Sequence, residues 1–193
     1  IATRLTIGKA KAVFTQDVIP RDTKKIPLYE KVIAANAPKT IVLSHAKSLA
    51  ATLREGDIAW NEFLIGTDTF ESYAADPMET INLLFSSGTT GNPKAIPWNH
   101  TTPIKVASDA FLHQDIHASD TLLWPTNLGW MMGPWVLFAA LINQATLAIY
   151  TDPPRENAFG DFVEKAKVTM LGVVPTLVGY WRQSDCMKGC NWN

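Results

Sequence analysis

Short β-branched and apolar runs alternate with segments of helical period along most of this sequence. That alternation favours an α/β fold with a largely parallel sheet flanked by helices. The predicted strands are Ala10–Thr15, Thr40–Leu43, Ile81–Phe85, Thr121–Trp124, Thr146–Tyr150 and Val168–Val173. The predicted helices are Leu28–Asn36, Pro103–His113, Pro134–Ile142, Phe159–Lys165 and Thr176–Arg182. The segment from His45 to Ala75 has no clean period, and we assign it no structure.

Charge and hydropathy exclude several classes of protein. The 193 residues carry 17 Lys and Arg against 18 Asp and Glu, for a net charge of −1. With charges this evenly balanced, the sequence lacks the excess of positive charge that is typical of proteins that bind nucleic acid or an anionic membrane surface. The most apolar window, Leu128 to Ile142, is shorter than the roughly 20 residues that a spanning helix needs, and Gly133-Pro134 interrupts it. We therefore expect a buried core helix there and no membrane span.

The cysteines and histidines do not complete a metal site in the sequence. Cys186 and Cys190 are spaced to share one face of a helix, but zinc would need two more ligands, and no histidine lies nearby in sequence. His113 and His117 lack the intervening glutamate of a zinc-protease pattern, so a solvated helix end is expected there. We predict free thiols in a reducing compartment and no bound metal at these positions.

The stretch INLLFSSGTTGNPK, from Ile81 to Lys94, carries the most chemical information. An apolar strand leads into a turn whose glycines permit backbone angles closed to other residues. Consecutive N–H groups in such a turn bind anions, and hydroxyl side chains bond phosphate oxygens or support magnesium. A lysine at the exit adds positive charge. The pattern predicts a polyphosphate cradle formed by Ser86, Ser87, Gly88, Thr89, Thr90, Gly91 and Lys94.

The cradle differs from other phosphate-binding and catalytic loops. Its glycines lie three apart and Lys94 follows Pro93, so it is not the Walker A loop. The sequence also lacks a Gly-x-Gly-x-x-Gly dinucleotide fingerprint and a Gly-x-Ser-x-Gly nucleophile elbow. On composition alone, a Ser/Thr/Gly-rich surface turn would be an equal alternative.

The string FSSGTTGNPK at Phe85–Lys94 resembles the phosphate-binding signature of adenylate-forming enzymes, which include acyl-CoA synthetases, luciferases and peptide-synthetase adenylation domains. Ser86 replaces the usual threonine, and Ala95 replaces a glycine. The segment WPTNLGWMMG, ending at Gly133, is similar to the Asp-x-Gly-Trp-x-x-Gly segment of the acetyl-CoA synthetase-like branch, with Asn127 in place of the aspartate. The combination of PKAIPW and TNLGWMMGPW looks closest to plant acyl-activating enzymes, several of which are thought to be peroxisomal.

The resemblance implies that residues 1–193 form part of the N-terminal AMP-binding domain of such an enzyme. The adenine and ribose motifs, the hinge and the C-terminal domain with its catalytic lysine would be absent. No residue here stands in for that lysine, so the catalytic residues stay unknown. The chain begins with Ile1 rather than Met and ends abruptly at GCNWN, and we expect it to be a piece of a longer protein.

The resemblance also implies an activity for the parent protein. It would be an ATP-dependent carboxylate–CoA ligase that uses ATP, Mg²⁺ and CoA to convert a carboxylic acid, a small-molecule substrate, to acyl-AMP and then to the thioester. The cradle residues would hold the β- and γ-phosphates. The acyl pocket and the mouth of the CoA tunnel would be lined by Trp130, Met131, Met132 and Gly133. The implied location is peroxisomal or cytoplasmic.

Other interpretations remain open at this point. A phosphate-loop hydrolase or kinase is a second enzyme class, although the loop spacing disfavours it. A truncated, non-catalytic nucleotide-binding or relic protein is a third interpretation, and the isolated chain is expected to be inactive. For Trp130 and its neighbours, simple core packing is the alternative to a pocket.

Overall fold

The computed structural model describes residues 1–21, 24–64, 66, 69–88 and 91–192. They divide into two compact units. Unit 1 comprises Ile1–Ala74 and Ser86–Ala95, and unit 2 comprises Ala75–Phe85 and Ile96–Asn193.

Helices and strands alternate along the described residues. The helices are α1 (Ala2–Ile7), α2 (Leu28–Ala34), α3 (Trp60–Phe63), α4 (Thr101–Gln114), α5 (Met132–Ile142), α6 (Asn157–Lys165) and α7 (Pro175–Ser184). The strands are β1 (Ala12–Gln16), β2 (Val18–Arg21), β3 (Lys24–Pro27), β4 (Lys39–Leu43), β5 (Ile58–Ala59), β6 (Thr80–Ser86), β7 (Lys94–Asn99), β8 (Thr121–Leu123), β9 (Thr146–Ala148) and β10 (Met170–Leu171). Every helix and strand predicted from the sequence is present, with ends that differ by at most two residues.

Six further elements were not predicted. They are α1, the antiparallel pair β2 and β3, the two-residue strand β5, the four-residue helix α3 and strand β7. β5 and α3 lie inside the segment that the sequence left unassigned. Elements this short do not complete a local period, and both β2 and β7 contain a proline, which counts against a strand prediction.

In unit 1, strands β1, β4 and β5 form a parallel sheet in which Val13 pairs with Thr40 and Ile41 pairs with Ile58. Asp17, directly after β1, is buried and accepts hydrogen bonds from the backbone N–H groups of Val18, His45 and Ala50 at 2.7–2.9 Å. Burial alone raises the pKa of the Asp17 carboxyl, but these N–H groups outweigh it and hold the pKa below its ordinary value.

A second buried carboxylate in unit 1 ties together α2, β4 and the approach to β5. Asp57 accepts a hydrogen bond from the Tyr29 hydroxyl at 2.7 Å and one from the Thr40 backbone N–H at 2.8 Å. The Arg54 guanidinium contacts both Asp57 oxygens at 3.1 Å and also donates to the Ala37 and Pro38 carbonyls. Both oxygens of the Asp57 carboxylate therefore accept two hydrogen bonds each, one from Arg54 and one from either Tyr29 or Thr40.

In unit 2, β8 lies between β10 and β9 in a second parallel sheet. Side chains alternate between the two faces of a strand, and Leu122 and Leu123 accordingly enter separate cores. Leu122 packs with residues of α4 and α5, and Leu123 packs with Phe159, Val163 and Trp181 of α6 and α7. Helices thus cover both faces of this sheet, and the predicted α/β class with parallel strands is confirmed.

The apolar window from Leu128 to Ile142 contains α5, a uniformly apolar helix that begins at Met132 and buries one of its faces. Pro134 sits in its first turn, where the missing N–H has no helical partner to lose. Val136, Ala139 and Ala140 are buried, whereas Leu141 and Ile142 are exposed. No helix within the described residues combines the length and apolar character needed to cross a membrane.

The expected shared helix face for the two cysteines is wrong. Helix α7 ends at Ser184 with Asp185 in the left-handed conformation, so Cys186 and Cys190 lie in the turns that follow. Both are free thiols, and Cys190 Sγ packs against Gly160 of α6. His113 lies in the last turn of α4, while His117 lies beyond that helix and contacts Asp115 at 2.9 Å. Across the described ranges, no three His, Cys, Asp or Glu side chains are grouped to hold a metal.

Candidate functional site

The predicted phosphate cradle connects two paired strands. Ser86 is the last residue of β6, Lys94 is the first residue of β7, and the two strands form a two-stranded sheet. Ser86 and Gly88 are half-buried, whereas Ser87, Gly91 and Lys94 are exposed. Thr89 and Thr90, which also belong to the predicted cradle, lie outside the described residues.

The two cradle glycines adopt backbone angles that other residues avoid. Gly88 has φ of +66° and Gly91 has φ of +84°, both in the left-handed region. At Gly88 an added Cβ would collide with the carbonyl oxygen of Asn92, whose carbonyl carbon would lie 3.2 Å away. At Gly91 nothing lies within 4 Å of such a Cβ. Both positions therefore have the backbone angles for which glycine was predicted. At Gly88 there is a second reason for glycine, because the Asn92 carbonyl leaves no space for a Cβ.

The cradle offers positive charge without nearby acidic residues in sequence. Between Phe85 and Trp98, Lys94 is the one charged residue. Its ammonium group is a compact point charge that suits phosphate, and the serine hydroxyls before it are short donors. A polyphosphate would meet N–H and O–H donors and one cation there, with no carboxylate from the loop to repel it.

The second predicted group, in unit 2, forms a turn between β8 and α5 that we call the apolar turn (residues 127–133). The Asn127 side-chain oxygen accepts a hydrogen bond from the Gly129 N–H at 2.7 Å, and its backbone carbonyl accepts one from the Trp130 N–H at 3.0 Å. The Gly133 N–H then donates to the Trp130 carbonyl at 2.9 Å. The chain is therefore closed into a tight loop just before α5 begins.

The apolar turn presents its large side chains to solvent. Leu128 is 69% exposed, Trp130 60% and Met131 58%. Met132 is half-buried and Gly133 is buried. Trp130 and Met131 therefore do not pack into a core formed by the described residues. Four other tryptophans belong to or pack against the two unit 2 clusters: Trp98, Trp124, Trp135 and Trp181.

Gly133 fixes how closely α5 approaches the apolar turn. A Cβ added at Gly133 would collide with Leu128 Cα and would lie 2.6 Å from the Asn127 carbonyl oxygen. The sequence singled out Gly133 only as a pocket residue, and its role in seating the turn came from the structure. Asn127 was noted only as a departure from a family pattern. The Asn-x-Gly spacing was the available signal, because an asparagine oxygen commonly accepts from the N–H two residues on.

Comparisons with known proteins identify the family of this chain. A family model described as AMP-binding enzyme matches residues 1–190. Over its whole length the chain is 49% identical to hexanoyl-CoA synthase of Cannabis sativa and 48% identical to probable acyl-activating enzyme 17, peroxisomal, of Arabidopsis thaliana. Each of these matches covers 28% of the relative, so the chain spans less than a third of the length of these curated relatives.

Solved structures show the same fold. Acetoacetyl-CoA synthetase from Streptomyces lividans matches 95% of this chain with a TM-score of 0.82 at 23% identity, and the match covers 29% of that protein. An acyl-CoA synthetase of Brucella canis matches with a TM-score of 0.78 at 17% identity, and the match covers 95% of this chain and 32% of that protein. The resemblance to acyl-activating enzymes inferred from the sequence is confirmed, and the chain belongs to the family of AMP-binding enzymes.

Proposed function

We propose that the protein carrying this sequence is an ATP-dependent carboxylate–CoA ligase and that residues 1–193 are part of its N-terminal AMP-binding domain. The observation that carries the proposal is the loop from Ser86 to Lys94. It combines two left-handed glycines and a lysine in the order of the family signature. Membership of the AMP-binding enzyme family supports the same assignment.

The cradle would hold the β- and γ-phosphates of ATP. Ser86, Ser87 and the backbone at Gly88 and Gly91 would donate hydrogen bonds, as would Thr89 and Thr90, and Lys94 would neutralise phosphate charge. Mg²⁺ bound to the phosphates would supply further charge neutralisation. Holding pyrophosphate in line with the attacking carboxylate is the main catalytic demand of adenylation, because the reaction is limited by positioning and by charge on the leaving group.

The apolar turn would line the acyl pocket and the mouth of the CoA tunnel. Leu128, Trp130 and Met131 expose apolar area that an alkyl chain would cover, and methionine adapts to ligands of different shape. A relative that is 49% identical is named hexanoyl-CoA synthase, which supports a medium-length aliphatic acid as the first substrate to assay. The names of two relatives, 48% identical, contain the word peroxisomal, which supports that location.

The direct test is ATP–pyrophosphate exchange by the full-length protein. We expect exchange to depend on added carboxylic acid, with hexanoate more effective than acetate, and CoA to release AMP. A phosphate-loop hydrolase or kinase would consume ATP without carboxylate-dependent exchange. A non-catalytic nucleotide-binding protein would bind ATP and show no exchange with any acid, and either result would overturn the proposal.

Replacing Lys94 by alanine in the full-length protein should impair ATP use more than acid use. Loss of one charge-assisted contact to phosphate predicts a rise in KM for ATP of about ten- to a hundredfold, with KM for the acid nearly unchanged. Initial-rate kinetics with each substrate varied in turn measure this. Lys105→Ala is the matched control, because Lys105 is 72% exposed on α4 and pairs only with Asp109 among the contacts described for it. Normal ATP dependence together with lost acid affinity would contradict the role of Lys94.

A further inference from the structure

The apolar turn combines exposed side chains with a tightly closed backbone. Leu128, Trp130 and Met131 are each more than half exposed, so packing of these side chains does little to hold them in place. Their positions depend on the backbone of residues 127–133 instead. A wall that must present apolar side chains to a ligand needs such a fixed backbone, because displacements of about 1 Å in a binding site cost large factors in rate.

Asn127 supplies the contacts that close this backbone. Its side-chain oxygen bonds the Gly129 N–H, and its main-chain carbonyl bonds the Trp130 N–H. Only the first contact depends on the side chain. Asn127 precedes Leu128, and its two contacts bind the N–H groups of the two residues that follow Leu128. The backbone around Leu128 is therefore held at both ends.

Gly133 packs closely against the backbone of Asn127 and Leu128. A Cβ at Gly133 would collide with Leu128 Cα and would lie 2.6 Å from the Asn127 carbonyl oxygen, so no side chain fits there. Gly133 is the second residue of α5, and α5 packs on β8 and β9 with Val136, Ala139 and Ala140 buried. The turn is thus held between its own hydrogen bonds and the start of a rigid core helix.

We infer that Asn127 is a positioning residue for acyl-chain recognition: its side-chain oxygen fixes the turn that presents Leu128, Trp130 and Met131 to the carboxylic acid. This inference rests on the proposed ligase function. The required property is a hydrogen-bond acceptor at this position rather than a neutral amide. An aspartate oxygen would accept from the Gly129 N–H equally well, whereas alanine would not.

The experiment compares Asn127→Ala with Asn127→Asp in the full-length protein. For Asn127→Ala we expect KM for hexanoate to rise about tenfold, with KM for ATP unchanged within about twofold. We also expect the preference for hexanoate over acetate to shrink, since a loosened wall discriminates chain length less well. Asn127→Asp should retain most of the acid affinity and of the chain-length preference.

Two further variants separate positioning from general stability. Asn143→Ala removes two side-chain hydrogen bonds, to the Ala107 and Ala139 carbonyls at 3.0 and 2.9 Å, at the opposite end of α5. It should lower the melting temperature without changing KM for the acid. Gly133→Ala leaves Asn127 intact but displaces the turn sterically, and it should reproduce the acid-specific rise in KM.

The outcomes distinguish this inference from the proposed function. If the unmodified protein shows acid-dependent exchange and Asn127→Ala keeps the normal KM and chain-length preference, the positioning role is overturned while the ligase assignment stands. Equal losses in Asn127→Ala and Asn127→Asp, or an equal rise in KM for ATP, would also overturn it. Absence of exchange in the unmodified protein would overturn the ligase assignment itself.

Discussion

Replacing Asp57 by alanine is expected to lower the free energy of unfolding by about 3–5 kcal/mol. The Asp57 side chain is 1% exposed and accepts from Tyr29, Thr40 and Arg54. Removing it leaves the buried Tyr29 hydroxyl and the buried Thr40 N–H without this acceptor, and orphaned buried groups cost more than the hydrogen bonds themselves contributed. The partly exposed Arg54 guanidinium keeps its contacts with the Ala37 and Pro38 carbonyls. Urea unfolding followed by fluorescence measures the change.

Asp109→Ala is the control for the loss of an aspartate as such. Asp109 lies on α4, paired with exposed Lys105, and exposed ion pairs contribute about 0–1 kcal/mol. A loss of less than about 1 kcal/mol for Asp57→Ala, comparable with that control, would show that the buried network does not hold unit 1 together.

The acid dependence of stability provides a second check on Asp57. Burial by itself raises the pKa of the Asp57 carboxyl, but hydrogen bonds from Arg54, Tyr29 and the Thr40 N–H outweigh it and place the pKa below its ordinary value. Because the folded-state pKa is the lower one, the contribution to stability is complete above the unfolded pKa of about 3.9 and is lost as pH falls through the folded pKa. In Asp57→Asn, the free energy of unfolding should depend less on pH below about pH 4. An unchanged pH dependence would contradict the assignment of this effect to the Asp57 carboxyl.

Replacing Gly88 by alanine is expected to reduce acid-dependent ATP–pyrophosphate exchange by about a hundredfold or more while the rest of the protein stays folded. Alanine would have to hold φ near +66°, which costs about 1–2 kcal/mol, and its Cβ would collide with the Asn92 carbonyl. The loop must then shift, and the phosphate donors shift with it. Exchange rates and circular dichroism together measure the effect.

Two other glycines make a graded series with Gly88. Gly179 in α7 has neither a left-handed φ nor any atom within 4 Å of an added Cβ, so Gly179→Ala should be neutral or slightly stabilising. Gly91 has a φ of +84° but open space around it, so Gly91→Ala should fall between the two. If Gly88→Ala reduces ATP–pyrophosphate exchange no more than Gly91→Ala does, then close packing of Gly88 against Asn92 does not contribute to activity.

Much of the fold was predictable because each helix or strand is specified by a pattern among residues that are close together in the sequence. The β-branched run of β4, the 3.6-residue period of α4 and α6, and Pro175 at the first position of α7 are properties of neighbouring residues. The left-handed backbone angles of Gly88 and Gly91 were predictable for the same reason, since they follow from a short string in which glycine is the residue that tolerates them.

Only the tertiary structure decided which side chains are buried and which polar groups meet. The Asp57 contacts join residues separated by 17 and 28 positions, a distance over which no sequence period extends. The apolar string around Trp130 predicted a pocket and left core packing open as the alternative, because hydrophobicity alone does not say whether a neighbouring element covers a residue. Trp130 and Met131 are exposed on a turn whose backbone is held by contacts at Asn127 and Gly133, and the Gly133 contacts depend on where α5 is anchored in its core.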